Sequence, residues 1–353
     1  MSGFNTSDIT ISKYSDTDRS GVLKLLAHLW KGLEPSECEE KFCWRYENNP
    51  NTSTPLIFIA KHRDKIVGIR AAVVQKFIYQ QSLINVYSNA DTVIHPDYRG
   101  KGILKLLNKS LDNSGEIEKS GIFLNLSSNS KTVKANIKNG FIEMDSDRSI
   151  ALKISFTNAI RYFFSKRTHS APIQQKSKFN GYSVFFSRKI DGDLLEKIYE
   201  RNRFSEKCTN QRNSDYLNWR YSYKTDQYRY VHSLKDEELK GYIILKRLSD
   251  ARYVLEEYSA DGLETFTVLI HSAMRILKIT VIQTWQVSFQ QNDWLKQSHF
   301  IKEFNLLNRL LGKKRFPLLV RPVAQMPEDE DFFMHGFDIR KSKNWQLFHA
   351  DAH

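Results

Sequence analysis

A short basic turn at residues 99–102 carries the clearest chemical signal in the chain. The stretch DTVIHPDYRGKGILKLL (residues 91–107) joins a strand-like run to a helix-like run through Arg99, Gly100, Lys101 and Gly102. Backbone N–H groups at a helix start point outward at the positive end of the helix dipole, where phosphate oxygens fit. The glycines allow close approach, and the two basic residues add charge. We therefore predict a phosphate site, with an ordinary helix entry as the alternative; the spacing matches neither the Walker loop nor the dinucleotide-binding motif.

The turn needs a strand before it and a helix after it, and the sequence predicts both. A strand is expected over LINVYSNADTVI, up to Pro96, and a helix from Ile103 to Leu111 with its apolar residues on one face. Upstream, a helix over 18–30 precedes the β-rich runs PLIFIA and IVGIRAAVV. Downstream, GIFLNL predicts a strand, SKTVKANIKN a helix and FIEMDSDRSIALKI a final extended stretch. This order predicts a mixed α/β sheet flanked by helices.

An internal repeat predicts a second copy of this architecture. The segment KFCWRYENNP (41–50) is echoed by DYLNWRYSYK (215–224), and a strand-like run follows each, 24 residues from Trp44 to Gly68 and 22 from Trp219 to Gly241. We interpret the two Trp-Arg-Tyr segments as packing elements, although stacking on a sugar or base is an alternative. The polar stretch SKRTHSAPIQQKSKFNG lies between the copies. We expect domains at 1–155 and 181–353, joined by a linker at 156–180.

Composition narrows the class of protein. The 353 residues exceed the usual single-domain size, and 41% of them are hydrophobic, enough for a globular core. No window approaches the ~18 uninterrupted apolar residues of a membrane span, and the N-terminus has no apolar signal-peptide centre. Three cysteines without a CxxC pair predict neither a disulfide framework nor a metal site. These features together predict a cytoplasmic location.

The net charge of +13 favours anionic partners, whether nucleic acid, a membrane surface or a phosphorylated small molecule. The basic residues are spread along the chain, and denser clusters such as RYFFSKRTHS and LGKKRF are short. Most of them are explained by a solvated basic surface.

The turn and its surroundings resemble the acetyl-CoA-binding motif of the GNAT superfamily of N-acetyltransferases, R/Q-x-x-G-x-G/A after a strand that ends near a proline. Leu104 stands at the last position of that motif, where the family has Gly or Ala. The later stretch NSKTVKANIKNGF resembles another family motif through Asn129, Lys138, Gly140 and Phe141. The resemblance covers about residues 8–153, and the second copy resembles a degenerate domain of the same kind without the basic turn.

The resemblance implies transfer of an acetyl group from acetyl-CoA to a primary amine. It also implies a set of cofactor contacts, namely Val93, Ile94, Arg99, Gly100, Lys101, Gly102, Ile103, Leu104 and Asn129. For Asn129, capping of the following helix is the simpler interpretation. Asn136 occupies the position at which many family members use a tyrosine to protonate the leaving thiolate.

Two residues are candidates for the base that removes the proton of the amine. Asp91 precedes Ile94 by three residues on the strand beside the cofactor; a structural, hydrogen-bonded aspartate is the alternative. His95 is the second candidate, because a histidine side chain ordinarily titrates at a pKa of about 6.5, which suits proton transfer near neutrality. A histidine before a proline is more often structural.

The acceptor is the least determined part of the prediction. Tandem chains of this kind resemble proteins of bacterial surface-polysaccharide synthesis, which suggests an amino sugar on a nucleotide or lipid carrier. One alternative is a Fem-type aminoacyl transferase that uses charged tRNA, although nucleic acid is a weak expectation because those enzymes do not depend on the basic turn. The other is a non-catalytic module that binds acyl-CoA or a protein. Acyl-chain length, oligomeric state and the role of the second half stay open.

Overall fold

The computed structural model describes residues 8–126, 130–147, 149–165, 174–287, 289–302, 317–323 and 327–352. These residues form two large mixed sheets, mostly antiparallel and flanked by helices. The first sheet begins with the N-terminal strands β1 (Ile9–Lys13), β2 (Leu56–His62), β3 (Lys65–Tyr79), β4 (Ser82–Ile94), β5 (Ile122–Asn125) and β6 (Ile142–Asp147). The next strand, β7 (Ser149–Ile154), pairs within the second sheet.

Most of the later strands complete these two sheets, and two short ones, Phe333–Met334 and Phe337–Asp338, form a separate two-stranded sheet. The later strands are β8 (Gln174–Phe179), β9 (Tyr182–Ser187), β10 (Cys208–Asn210), β11 (Tyr228–Lys235), β12 (Glu238–Ser249), β13 (Arg252–Ala260), β14 (Val281–Gln286), β15 (Ile301–Lys302), β16 (Pro317–Pro322), β17 (Phe333–Met334), β18 (Phe337–Asp338) and β19 (Trp345–Gln346). The α-helices are α1 (Arg19–Leu26), α2 (Pro35–Phe42), α3 (Ile103–Asp112), α4 (Ser130–Ile137), α5 (Phe156–Ser165), α6 (Gly192–Asn202), α7 (Ser214–Arg220), α8 (Leu263–Ile276) and α9 (Phe289–Gln297).

The two sheets repeat one strand order. The first runs β1-β2-β3-β4-β5-β16-β6, and the second runs β15-β7-β14-β13-β12-β11-β9-β8. Each contains a long antiparallel meander, then a helix that returns the chain to a parallel neighbour: α3 between β4 and β5, and α8 between β13 and β14. The repeat inferred from the Trp-Arg-Tyr segments therefore has a counterpart in the strand order.

Each half contributes a strand to the sheet of the other half. Strand β7 of the first half inserts between β14 and β15 of the second sheet, and strand β16 of the second half inserts between β5 and β6 of the first sheet. Two further short strands, β10 and β19, extend the first sheet beyond β3. Strand membership thus crosses the expected boundary in both directions, and the division at residues 155 and 181 stays a prediction.

The segment expected to be a linker contains regular structure in its described parts. Residues 156–165 form α5, and β8 begins at Gln174. Helix α5 is fastened by the Asn158 amide, which donates to the carbonyls of Met274 (2.8 Å) and Ile279 (2.9 Å). A buried polar residue thus attaches this helix to the rest of the protein.

A pair of tryptophans joins the repeated segments. The Trp44 and Trp219 rings stack with centroids 5.8 Å apart. Trp44 Nε1 donates to the Trp219 carbonyl at 2.9 Å, and Trp219 Nε1 donates to the Trp44 carbonyl at 2.5 Å. Identical contacts made in both directions are the mark of a local two-fold axis. The Trp-Arg-Tyr segments therefore pack against each other.

Helix α3 is seated on the first sheet by its apolar face. Ile103, Leu107 and Leu111 are buried at the i, i+4, i+8 spacing that faces one side of a helix. They pack in one cluster with residues of β2 and β3. This packing positions the N-terminus of α3, and with it the basic turn, at the end of β4.

Candidate functional site

The basic turn adopts the conformation that its glycines permit. Gly100 has φ 75° and Gly102 has φ 77°, in the left-handed region that other residues avoid. No atom lies within 4 Å of the position a Cβ would take at either residue, so the backbone is open on that side. Gly102 is the N-cap of α3, and the first N–H groups of a helix have no intrahelical acceptor. An anion can therefore approach these N–H groups directly.

The two basic side chains of the turn are held near its surface. Arg99 Nε donates to the Ile94 carbonyl at 3.2 Å, and this exposed contact leaves guanidinium nitrogens for an anion. Lys101 Nζ lies over the Tyr98 ring, 5.0 Å from its centroid. The Tyr98 hydroxyl in turn lies 2.9 Å from His62 Nδ1. The turn is thus cationic and braced by its neighbours.

A cleft of about 520 Å³ opens at the turn. Every described residue of the predicted cofactor set lines it: Val93, Ile94, Arg99, Gly100, Lys101, Gly102, Ile103 and Leu104. Asn129 lies outside the described residues. The sequence analysis missed the other lining residues, His28, Leu29, Thr92 and Tyr98. Thr92 and Tyr98 flank the motif and could have been included, whereas nothing local connects the end of α1 to the turn.

Strand β4 separates from β5 along the cleft. The two strands pair only from Val86 to Ser88, so among the described residues β4 has no strand partner on that side from Asn89 to Val93. Against β3, the register slips by one residue between Asn89 and Thr92, which is a β-bulge. The bulge turns both Ala90 and Asp91 toward the core beneath α1 and α2. The splayed edge offers free backbone groups to an extended ligand arm.

Asp91 is buried and fully bonded. Its carboxylate accepts from Trp30 Nε1 (3.0 Å), Arg45 Nη1 (2.8 Å) and the Tyr46 hydroxyl (2.7 Å). Burial opposes its ionisation, but the charge of Arg45 and these donors outweigh burial and lower the pKa of Asp91 below its usual range. Such a carboxylate is a weak proton acceptor. Asp91 is also absent from the residues lining the cleft, so its assignment as the base stays a prediction.

His95 lies beside the cleft. Its ring stands 6.0 Å from that of His28 and 5.8 Å from that of Tyr98, both of which line the cleft. Its Nδ1 lies 3.6 Å from Asp97 Oδ2 and makes no hydrogen bond among the described residues. The structure thus brings His95 beside the turn, and its catalytic assignment also stays a prediction.

A buried arginine underlies the bulge. Arg70 on β3 donates to Thr92 Oγ1 (2.7 Å) and to Asn89 Oδ1 (2.6 Å), which bracket the bulge. Burial lowers the pKa of the Arg70 guanidinium to about 10, so it stays protonated at neutral pH. Its Nε has no partner among the described residues. Arg70 therefore clamps the two ends of the bulge from the face that α3 covers.

The second sheet has a cleft at the equivalent corner, with different chemistry. It measures about 590 Å³ and opens where β13 ends and α8 begins, at Asp261 and Gly262. Asp261 accepts from Arg201 Nε (3.1 Å) and Asn202 Nδ2 (3.1 Å). The turn at this corner is acidic, whereas the turn at the first corner is cationic, so the first corner is the better suited of the two to a phosphate group.

Comparison with known proteins identifies the fold. No protein-family model and no curated protein matches the chain. A probable N-acyltransferase from Enterococcus faecalis V583 is similar in structure, with TM-score 0.62 and 12% identity over 89% of this chain and 73% of that one. N-myristoyltransferase of Saccharomyces cerevisiae, solved with bound myristoyl-CoA, has TM-score 0.55 and 11% identity over 98% and 85%. A tandem GNAT protein from the clavulanic acid biosynthesis pathway has TM-score 0.51 and 12% identity, over 91% of this chain and 100% of that one.

At these identities the likeness shows the fold. The chain has two tandem GNAT-like sheets, each mixed, mostly antiparallel and flanked by helices, which confirms the predicted fold class. Within the part of the chain that the structure describes, no helix is long and apolar enough to cross a membrane.

Proposed function

We propose that the protein transfers an acyl group from an acyl-CoA, with acetyl-CoA as the first candidate, to a primary amine. One observation carries the proposal: a single cleft gathers the cationic turn, the start of α3 and the unpaired edge of β4. Anion binding at the turn and hydrogen bonding along the strand are the two requirements of a long ligand with a pyrophosphate at one end.

The residues present fit such a donor. The turn has open space above Gly100 and Gly102, and Arg99 and Lys101 supply positive charge for a pyrophosphate. Leu104 replaces the small residue of the family motif, yet its side chain lines the cleft wall and leaves about 520 Å³ of space. The backbone of β4 from Asn89 to Val93, which has no strand partner on the cleft side, can bond a pantetheine arm, and the donor supplies an activated thioester.

The transfer requires placement more than it requires acid–base strength. The ammonium first loses one proton to a base. The neutral amine nitrogen then attacks the thioester carbonyl, a C–N bond forms as the C–S bond breaks, and the nitrogen loses a second proton while the leaving thiolate gains one. A strand rises ~3.3 Å per residue, so a donor anchored at the turn has its reactive end several residues upstream, near Ala90 and Asp91. In our proposal Arg70, Arg45 and Asp91 hold the bulge and thereby align that end.

Asp91 and His95 remain our candidates for proton transfer. Asp91 is nearer the expected position of the thioester, but its low pKa makes it a weak base. His95 is the more suitable type of residue for a general base, but it lies beside the turn, where the pyrophosphate end of the donor is expected. Asn136, at the position of the family tyrosine, cannot donate a proton as an acid. The two candidates are separated by measuring the reaction rate as a function of pH for the Asp91→Asn and His95→Gln variants. Loss of the true base removes one limb of the pH–rate profile.

The proposed acceptor is an amino sugar of a polysaccharide precursor on a nucleotide or lipid carrier. Its support is the resemblance of the basic turn and the Trp-Arg-Tyr segments to those of tandem proteins in bacterial surface-polysaccharide synthesis, together with the net charge of +13, which favours an anionic carrier. A screen of nucleotide-linked amino sugars, polyamines and peptides, read out as released thiol, tests it. Turnover of a peptide or polyamine alone would exclude the amino sugar and leave acyl transfer standing.

The primary experiment is calorimetric titration of acetyl-CoA into the wild type and two charge-reversal variants. Arg99→Glu should lower the affinity by about 10- to 100-fold, since it removes a charge-assisted phosphate contact and adds repulsion. Lys109→Glu makes the same charge change near the other end of α3, at an exposed site, and should retain the affinity. Equal loss in both variants would indicate a general charge effect. Absence of binding in the wild type would favour the non-catalytic or tRNA-dependent alternatives.

A further inference from the structure

Helix α5 presents its apolar residues to solvent. Phe156, Ile160 and Phe163 are 76%, 59% and 78% exposed, and their i, i+4, i+7 spacing puts them on one face. Asn158, by contrast, is buried and bonds the carbonyls at the end of α8. The helix is therefore oriented opposite to an ordinary amphipathic helix, because a polar residue attaches it to the protein and its aromatic face points to solvent.

The exposed residues are concentrated in one place. Of the twelve large apolar side chains that are exposed in the described chain, five fall between Ile154 and Phe163. Single exposed apolar residues are common on soluble proteins, but a contiguous patch marks a surface that meets another apolar phase. Removal of this face from water is thus strongly favoured.

The charge around α5 indicates what covers it. Residues 148–190 contain no Asp or Glu, in a chain whose other residues include all 40 acids. The same stretch contains nine basic residues: Arg148, Lys153, Arg161, Lys166, Arg167, Lys176, Lys178, Arg188 and Lys189. Most of the net charge of +13 therefore belongs to the segment that carries the apolar face. An aromatic face flanked by basic residues of one sign matches an anionic bilayer surface.

We propose that α5 is an interfacial anchor that lies flat on an anionic lipid membrane. Phe156, Ile160 and Phe163 enter the boundary between headgroups and acyl chains, and the surrounding lysines and arginines bind lipid phosphates. At 10 residues the helix is about 15 Å long, too short to span a bilayer core of roughly 30 Å. A surface position is therefore the arrangement that buries its apolar face.

The inference is independent of acyl transfer, because membrane binding involves a surface and not the cleft. Its occupant is a lipid bilayer and not a second protein, since residues 148–190 carry charge of one sign, which suits an anionic bilayer better than the mixed charges of a protein surface. Self-association or binding of another protein through α5 is an outcome that the test distinguishes.

The test is co-sedimentation of the full-length protein with two kinds of vesicle, phosphatidylcholine alone and phosphatidylcholine mixed with phosphatidylglycerol. We expect binding to the mixed vesicles, weakened by added salt because screening reduces the attraction of the basic segment. The double variant Phe156→Ser/Phe163→Ser should bind these vesicles at least about tenfold more weakly, since it removes two inserted aromatic side chains.

The matched control is Leu83→Ser/Phe333→Ser, which removes two exposed apolar side chains (53% and 63% exposed) from other elements. It should bind the mixed vesicles like the wild type. All variants should keep the wild-type melting temperature and acetyl-CoA affinity, so loss of vesicle binding cannot be attributed to misfolding or to the cleft.

Three results would overturn the proposal: no binding of the wild type to mixed vesicles, equal loss in the control, or equal binding to both kinds of vesicle at all salt concentrations. A wild-type dimer that the α5 variant converts to a monomer, without vesicle binding, would identify the face as a contact between copies of the chain.

Discussion

The two strand–turn–helix corners of the molecule have the same backbone plan and opposite electrostatics. At the first corner β4 leads through Arg99–Gly102 into α3, and at the second β13 leads through Asp261 and Gly262 into α8. The first turn is cationic with two left-handed glycines, whereas the second is short and its carboxylate is bonded to Arg201. Shared topology thus provides two clefts, but local charge makes only one of them a candidate nucleotide site.

The buried charged residues behind the two corners can also be compared. Asp91 on β4 is bonded to Arg45 of the first Trp-Arg-Tyr segment, and Glu256 on β13 lies 3.7 Å from Arg220 of the second. The second half adds a buried arginine, Arg212, bonded to both Glu257 (3.0 Å) and Asp351 (2.7 Å). Both halves thus contain a buried ion pair behind the corner; the second half adds the Arg212 network, and the first half adds the cationic surface turn.

The largest effect is expected from breaking the buried network of the second half. Arg212→Met leaves the carboxylates of Glu257 and Asp351 buried without their cation, and should lower the free energy of unfolding by ~3–5 kcal/mol. Arg45→Met should have a smaller effect, because Asp91 keeps Tyr46 and Trp30 as donors. Urea unfolding measures both variants. A larger loss in Arg45→Met would reverse our ranking of the two cores.

A smaller, pH-dependent effect is expected at Asp91. Because its pKa is lowered by folding, the stabilisation is complete above the unfolded value of 3.8 and is lost as pH falls through the folded value. Asp91→Asn should therefore be less stable than wild type by ~1.5–3 kcal/mol at neutral pH. The difference should shrink below pH 3.8. Urea midpoints across pH test this, and a difference that persists in acid would exclude the ionised carboxylate as its source.

The left-handed glycine of the first turn should affect both stability and ligand affinity. Gly102→Val forces a β-branched residue to φ 77° and should cost ~1–3 kcal/mol of stability. Gly181→Val imposes the same strain at φ 78° in the turn between β8 and β9. Only Gly102→Val should also lose acetyl-CoA affinity by calorimetry. Equal affinity in the two variants would remove the turn from the donor site.

The smallest effect is expected at the second corner. Arg201→Glu disrupts the exposed pair with Asp261, and should lower stability by no more than ~1 kcal/mol. Acetyl-CoA affinity should stay within about twofold of the wild type, since that corner lies outside the proposed site. A large loss of affinity would indicate that the second cleft, and not the first, binds the donor.

Local features of the site were predictable from the sequence. The end of β4, the basic turn and the apolar face of α3 depend on neighbouring residues, and they appear in the structure where the sequence predicted them. The contacts of Asp91 were not predictable, because Trp30 and Arg45 lie 61 and 46 residues away. His28 and Leu29 joined the cleft without any local signal for the same reason.

The sequence by itself determined the strand and helix that flank the turn, the repeat and the chemistry of the turn, because periodicity, glycine placement and charge act over a few residues. Only the tertiary structure decided that β7 pairs within the second sheet and β16 within the first. It also decided that Trp44 contacts Trp219 and that Asp91 points into the core at the bulge. Those outcomes depend on which surfaces pack together, and packing between distant segments is a property of the whole chain.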